Sequence, residues 1–115
     1  MSPPGKASAA ILISGSGTNL QSFIDKTETG KLDLDIKVVL SNKPGVAGLE
    51  RARNAGIPVE CIEHRDFPER ETFDAALVDT LDGYAPDLII LAGFMRILTP
   101  VFIDHFAGRI MNIHP

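Results

Sequence analysis

Ala9-Ala10-Ile11-Leu12-Ile13 runs directly into Ser14-Gly15-Ser16-Gly17-Thr18-Asn19, and Leu20 opens a helical pattern straight after. An apolar run this short, ended by a glycine-rich turn, has the length of a strand buried on both faces. From Leu20 to about Lys26, Leu20, Phe23 and Ile24 recur at helical spacing, and Thr18 with Gln21 fits a capping box at the helix start. Strand, tight turn and helix in that order form the first half of a βαβ unit.

Working outward, the same alternation recurs. Ile36 to Leu40 reads as a second strand, followed by turn chemistry at Asn42-Lys43-Pro44-Gly45. A second helix covers about Val46 to Ala55 and stops at Gly56-Ile57-Pro58. Val59 to Ile62 is a third strand. A third helix runs from about Pro68 to Leu81, with Phe73, Ala76, Leu77 and Leu81 on one face. Leu88 to Leu91 is a fourth strand. Thr99-Pro100 reads as a cap and a first-turn proline opening a fourth helix through Phe106, and Ile110 to Ile113 is a fifth strand. Strands separated by helices need right-handed crossovers, so the expected class is α/β, a parallel sheet with helices on both faces. Residues 9–115 read as one domain behind a flexible tail at 1–8.

Composition narrows the function. Hydrophobic residues make up 44% of the 115 and the mean hydropathy is +0.11, enough to build a core rather than remain disordered. Eleven basic residues are scattered among fifteen acids, for a net charge of −4, so no basic face for nucleic acid is expected. No apolar run approaches the roughly 18 residues of a membrane span, and no signal-peptide pattern is present. The expected compartment is the cytoplasm. Cys61 is the single cysteine; in Val59-Glu60-Cys61-Ile62 it reads as a small buried side chain. No trio built on His64, His105 and His114 has metal-ligand spacing, so no metal is expected.

In open α/β sheets ligands bind beyond the carboxyl ends of the strands. Three unusual segments fall there: Ser14 to Asn19 after strand one, Ala92-Gly93-Phe94-Met95-Arg96 after strand four, and Asn112-Ile113-His114-Pro115 closing strand five. The first offers free N–H groups to an anion, although a tight turn with a Thr18 cap explains it equally well. It is neither a dinucleotide fingerprint, since Leu20 takes the third glycine position, nor a Walker loop. Asn112 and His114 lie two apart on a strand and share a face. Together they can steady an oxyanion and move a proton, or simply form a structural pair at a strand end. His64 and His105 read as a loop residue and a solvated helix residue. Arg70 is placed to pair with Asp74 one turn on, and Arg96 reads equally as a solvated loop charge.

With those segments in hand, the sequence resembles the folate-dependent glycinamide ribonucleotide formyltransferases. The matching stretches are Ile13 to Gln21, Ser41-Asn42-Lys43, Gly48 to Ala52, Leu91 to Leu98 and Arg109 to Pro115. The resemblance implies a Rossmann-like fold and formyl transfer from 10-formyltetrahydrofolate to glycinamide ribonucleotide, with no metal. It further implies that Gly17, Thr18 and Asn19 hold the ribonucleotide phosphate. Met95, Arg96, Ile97 and Leu98 would line the folate pocket, Arg70 would reach the folate, Asn112 would contact the formyl group, and His114 would be the catalytic acid. Enzymes of this kind are about twice as long and carry a catalytic aspartate in the part after the His-Pro. The expectation is therefore an amino-terminal part truncated after Asn-x-His-Pro. On its own it would have little activity, and its sheet edge near strand five would be open to self-association or to a complementing carboxyl-terminal half. The alternatives are methionyl-tRNA formyltransferase, formyltetrahydrofolate deformylase, or a non-catalytic nucleotide-binding half-domain. The acidic balance argues against the first. The short stretch before strand one argues against the second.

Overall fold

The computed structural model describes residues 6–113. It contains β1 (Ala7–Ile13), α1 (Thr18–Glu28), β2 (Leu34–Ser41), α2 (Ala47–Asn54), β3 (Val59–Cys61), a single 3-10 turn at His64–Asp66, α3 (Arg70–Asp82), β4 (Leu88–Ala92), α4 (Pro100–His105) and β5 (Ile110–Ile113). All strand pairs are parallel, in the order β3-β2-β1-β4-β5. The order reverses between β1 and β4, so the loops after these two strands part and leave a crevice at their carboxyl ends.

Alternate residues of each strand face opposite sides, which splits the core in two. Ala9, Ile11, Ile13, Val39 and Ile90 pack with Leu20 and Ile24 of α1 and Leu49 and Ala52 of α2. Ala10, Leu12, Val38, Leu40 and Ile89 pack with Phe73, Leu77 and Leu81 of α3 and Phe102 and Phe106 of α4. β1 is buried on both faces from Ser8 to Ile13, so it is the centre of the molecule. This is the doubly wound parallel sheet with helices on both faces that the alternation implies, and it is Rossmann-like, as the resemblance implies.

Several expectations change. Ala7 and Ser8 belong to β1 rather than to a tail, because Asp87 at the head of β4 pins Ser8. The Ser8 backbone N–H and hydroxyl both donate to Asp87 Oδ2, at 2.9 and 3.0 Å. Residues 1–5 of that tail lie outside the described residues. Cys61 is exposed, not buried: β3 is an edge strand paired only with β2, so one flank has no neighbour. What burial the thiol has, with Glu63 and Asp66 nearby, raises its pKa and keeps it protonated. Thr18 makes no capping bond. It is the first residue of α1, and the cap position falls on Gly17, whose φ of 74° is left-handed.

Candidate active site

The glycine turn is shaped by α2 rather than by its own side chains. The Gly48 N–H donates to the Gly15 carbonyl at 3.1 Å, and Arg51 Nε donates to the Ser16 carbonyl at 2.8 Å. A Cβ added to Gly17 would lie 2.6 Å from Gly48 Cα, and one added to Gly48 would lie 2.9 Å from the Gly15 carbonyl oxygen. The two backbones therefore touch, and only glycine fits on either side. Gln21 N–H closes the first helical bond to the Gly17 carbonyl. The N–H groups before it, at Thr18 to Leu20, have no partner within the helix and lie at the positive end of the helix dipole. These are the donors an anion needs.

On the other side of the crevice, the loop from Gly93 to Leu98 is held at both ends. The Met95 N–H donates to Ser14 Oγ at 2.7 Å. At the far end, the backbone N–H and hydroxyl of Thr99 both donate to Asp74 Oδ2, at 2.6 and 2.7 Å. Asp74 is fully buried in α3, so it fixes where α4 starts. Its expected one-turn pairing with Arg70 does not form: the carboxylate is buried, its Oδ1 has no partner among the described residues, and the Arg70 side chain stays exposed. Between these anchors Met95 and Ile97 project outward, 75% and 70% exposed. Leu98 turns inward against the α3–α4 core. The Arg96 guanidinium lies 5.7 Å from the Phe73 ring centroid, with its Nε buried and without a hydrogen-bond partner.

Gly17, Thr18, Asn19 and Met95 line one cavity of about 330 Å3, completed by Ser14 to Ser16, Lys43, Ala92 and Gly93. It sits at the carboxyl ends of β1 and β4, where the strand order reverses. Arg70, Arg96, Ile97, Leu98 and Asn112 are not among its lining residues. Asn112 pairs in register with Leu91 at the same rim of the sheet, on the α3–α4 side, and is exposed. Ile113 beside it shares a second cavity with Asn19, Ser22, Phe23 and Lys26, so β5 reaches the first turn of α1. Arg70, at the first position of α3, is exposed three residues before the Phe73 that carries Arg96. The residues expected to hold the phosphate thus gather on the α1 side of the rim, and those expected to meet folate, Met95 apart, lie on the α3–α4 side. His114 lies outside the described residues.

Sequence reasoning gave Ser14, Asn42 and His64 no role of their own in the site. Ser14 Oγ donates to Asn42 Oδ1 at 2.6 Å, and Asn42 Nδ2 lies 3.3 Å from His64 Nδ1. These residues come from the ends of β1 and β2 and the turn after β3, with no sequence spacing to betray them. The only hint was that glycine-turn and Ser41-Asn42-Lys43 stretches recur together in the resemblance. Gly48 and Arg51 were likewise quoted there without a role.

A family model described as formyl transferase matches residues 7–115. The chain belongs to the formyl transferase family. It is 50% identical over 105 residues to the phosphoribosylglycinamide formyltransferase of Escherichia coli K12, covering 91% of this chain and 50% of that protein. It is 51% identical over 108 residues to the trifunctional purine biosynthetic protein adenosine-3 of Drosophila melanogaster, covering 92% of this chain and 8% of that one. Among solved structures, glycinamide ribonucleotide transformylase 1 of Symbiobacterium toebii superposes with a TM-score of 0.93 at 41% identity, over 98% of this chain and 53% of that one. The chain thus spans about half the length of the single-function relatives it matches, and a much smaller share of the trifunctional ones.

Proposed function

We propose that this formyl transferase chain supplies the ribonucleotide-phosphate site and part of the folate site of a phosphoribosylglycinamide formyltransferase. The reaction moves a formyl group from 10-formyltetrahydrofolate to the amine of glycinamide ribonucleotide, in the cytoplasm, on the route to IMP. The observation that carries this reading is the single cavity in which the unpartnered N–H groups of Thr18 and Asn19 meet Gly93 and Met95. An anion-binding turn opposite an apolar loop fits two substrates held side by side. The names of the relatives favour this reading over the deformylase, the tRNA enzyme and a non-catalytic module.

In this reading, Gly17, Thr18 and Asn19 hold the phosphate through backbone N–H groups and short polar side chains. Met95 and Ile97 offer apolar surface, and the unpartnered Arg96 Nε a buried donor. That combination fits a flat heterocycle edged with polar atoms. Arg70 would meet the anionic tail of the folate, whose contribution is the formyl group. Asn112 would donate its amide to the oxygen that gains charge as the amine attacks, with His114 as the acid that returns a proton. Most of the acceleration would come from orienting two substrates in one crevice.

Calorimetric titration tests the two half-sites separately. Glycinamide ribonucleotide is expected to bind the 115-residue chain, with affinity lost on addition of bulk at Gly17. Formyl transfer by the chain alone is expected to fall at least about tenfold below a full-length relative, because half of such a relative is not represented in these residues. Ribonucleotide binding that is indifferent to changes at Gly17 to Asn19, with the fold intact, would overturn the assignment.

A further inference from the structure

Ser14 and Asn42 are polar, 4% and 1% exposed, and placed between the two substrate loops. Buried polar groups persist when donors and acceptors are matched, and here they match in a single chain. The Met95 N–H needs an acceptor and finds Ser14 Oγ at 2.7 Å. The Ser14 hydroxyl then has its own hydrogen to give and donates it to Asn42 Oδ1 at 2.6 Å. That fixes the direction of the Asn42 amide and turns Nδ2 toward His64 Nδ1 at 3.3 Å, where only a lone pair satisfies it. The neutral imidazole therefore carries its hydrogen on Nε2. The path runs from the turn after β3, through the ends of β2 and β1, to the loop after β4.

We propose that Ser14 and Asn42 are positioning residues that lock the loop after β4 to the glycine turn, with the direction of their hydrogen bonds set by His64. Its bearing on catalysis rests on the formyl-transfer reading, whereas the lock itself does not. A proton on His64 Nδ1 would face the Asn42 amide hydrogens, donor against donor. The amide relieves this by turning over: Oδ1 then accepts from the imidazole and Nδ2 donates to Ser14. Ser14 Oγ now accepts from both Asn42 and Met95, and its own hydrogen is released toward the cavity it lines. The charge on one imidazole is thereby passed to both loops. The charged groups around His64 are Glu63, Arg65 and Asp66 on its own segment, Lys43 after β2, and Arg96 across the Phe73 ring that His64 meets edge-on at 6.4 Å. Arg65 is drawn to Glu63 at 2.7 Å, so the pair supplies little net charge to the imidazole.

Amide-resolved NMR on the 115-residue chain, titrated across the range of about pH 8 to 5 in which imidazoles change charge, reads the path directly. The Asn42 side-chain amide and the Met95 backbone amide are expected to follow His64 with one shared midpoint, and to stop titrating in His64→Phe. Ser14→Ala should silence Met95 while Asn42 still follows His64, and Ser14→Thr, which keeps the oxygen, should restore it. Asn42→Asp accepts from Ser14 and a protonated imidazole at once, so no amide turns over and the Met95 amide should stop following His64. A Met95 amide that ignores His64 in the unaltered chain overturns the proposal, as does coupling that survives Ser14→Ala. None of these measurements needs folate. Ribonucleotide affinity that depends on Gly17 to Asn19, without this coupling, removes the lock and leaves the formyl-transfer reading in place; coupling with ribonucleotide binding indifferent to those residues does the reverse.

Discussion

The two walls of the crevice are built differently. The glycine turn is backbone on backbone: Gly17 against Gly48, with the Gly15 and Ser16 carbonyls held by Gly48 and Arg51. The loop after β4 is instead pinned at its two ends by side chains, Ser14 at Met95 and Asp74 at Thr99, while Met95 and Ile97 stand in solvent between the pins. One wall is finished by short-range packing within this chain. The other presents apolar side chains that none of the described residues covers. On the proposed function, the phosphate needs fixed N–H groups at short range, which tight backbone supplies. A large flat ligand needs surface, which a pinned loop supplies while keeping its side chains free to conform.

The comparison breaks most violently at Gly17. Gly17→Ala places a side chain on a left-handed φ and a Cβ 2.6 Å from Gly48 Cα. Each fault costs about 1–3 kcal/mol, so a loss of several kcal/mol or failure to fold is expected, read by thermal or urea unfolding. The same substitution at Gly93, which also has positive φ but no atom within 4 Å of an added Cβ, should cost only the backbone strain, about 1–2 kcal/mol. Equal losses at the two positions would show that the close approach to α2 does not matter.

Next comes Asp74. Asp74→Ala leaves the buried Thr99 N–H and hydroxyl without their acceptor, at about 1–3 kcal/mol. Unlike the glycine change, it should loosen only the loop after β4. Hydrogen exchange is expected to quicken at Thr99 and Phe102 and stay unchanged at Gly48 and Gln21. Exchange rising equally on both walls would make the crevice one unit rather than two. A smaller effect again is expected for Met95→Gln and Ile97→Gln. As exposed side chains they should alter stability by no more than about 0.5 kcal/mol, yet weaken the binding of a folate analogue and spare that of the ribonucleotide.

How much of this was legible in the sequence follows the same division. The strands and helices were, because short apolar runs and three-to-four-residue spacing each reflect contacts within one element. The order of the segments even located the crevice, since the glycine turn and the loop after β4 both follow buried strands. What escaped depends on neighbours far away in sequence. Cys61 looked buried by its apolar neighbours, but β3 lies at the edge of the sheet. Thr18 looked like a cap, but Gly17, left-handed and packed against Gly48, takes the cap position and Thr18 becomes the first helical residue. Arg70 looked like the partner of Asp74, but Asp74 turns into the core against Thr99 while Arg70 stays exposed. The Ser14, Asn42 and His64 path joins three strand ends, and no single segment contains enough of it to be read.

Asp87 offers the gentlest and cleanest control, because it sits at the opposite, amino-terminal rim of the sheet. The Ser8 backbone N–H and hydroxyl lower its carboxyl pKa, and the positive charge of Arg109 adds to the same shift. A carboxylate whose pKa is lower folded than unfolded stabilises the protein fully above the unfolded value, ordinarily about 3.9 for aspartate, and loses that contribution as pH falls through the lower folded value. Stability should therefore decline with acid in that window, and Asp87→Asn should flatten the decline while changing little at neutral pH, since an exposed group contributes modestly. Because β1 carries the glycine turn at its far end, the comparison of the two walls makes a sharper demand. If they are set by local contacts at the carboxyl rim, Asp87→Asn combined with Asp74→Ala should lose the sum of the two separate losses, to within about 0.5 kcal/mol. A larger discrepancy would mean that β1 and β4 slide along each other as rigid rods, transmitting a slip at one rim to the crevice at the other.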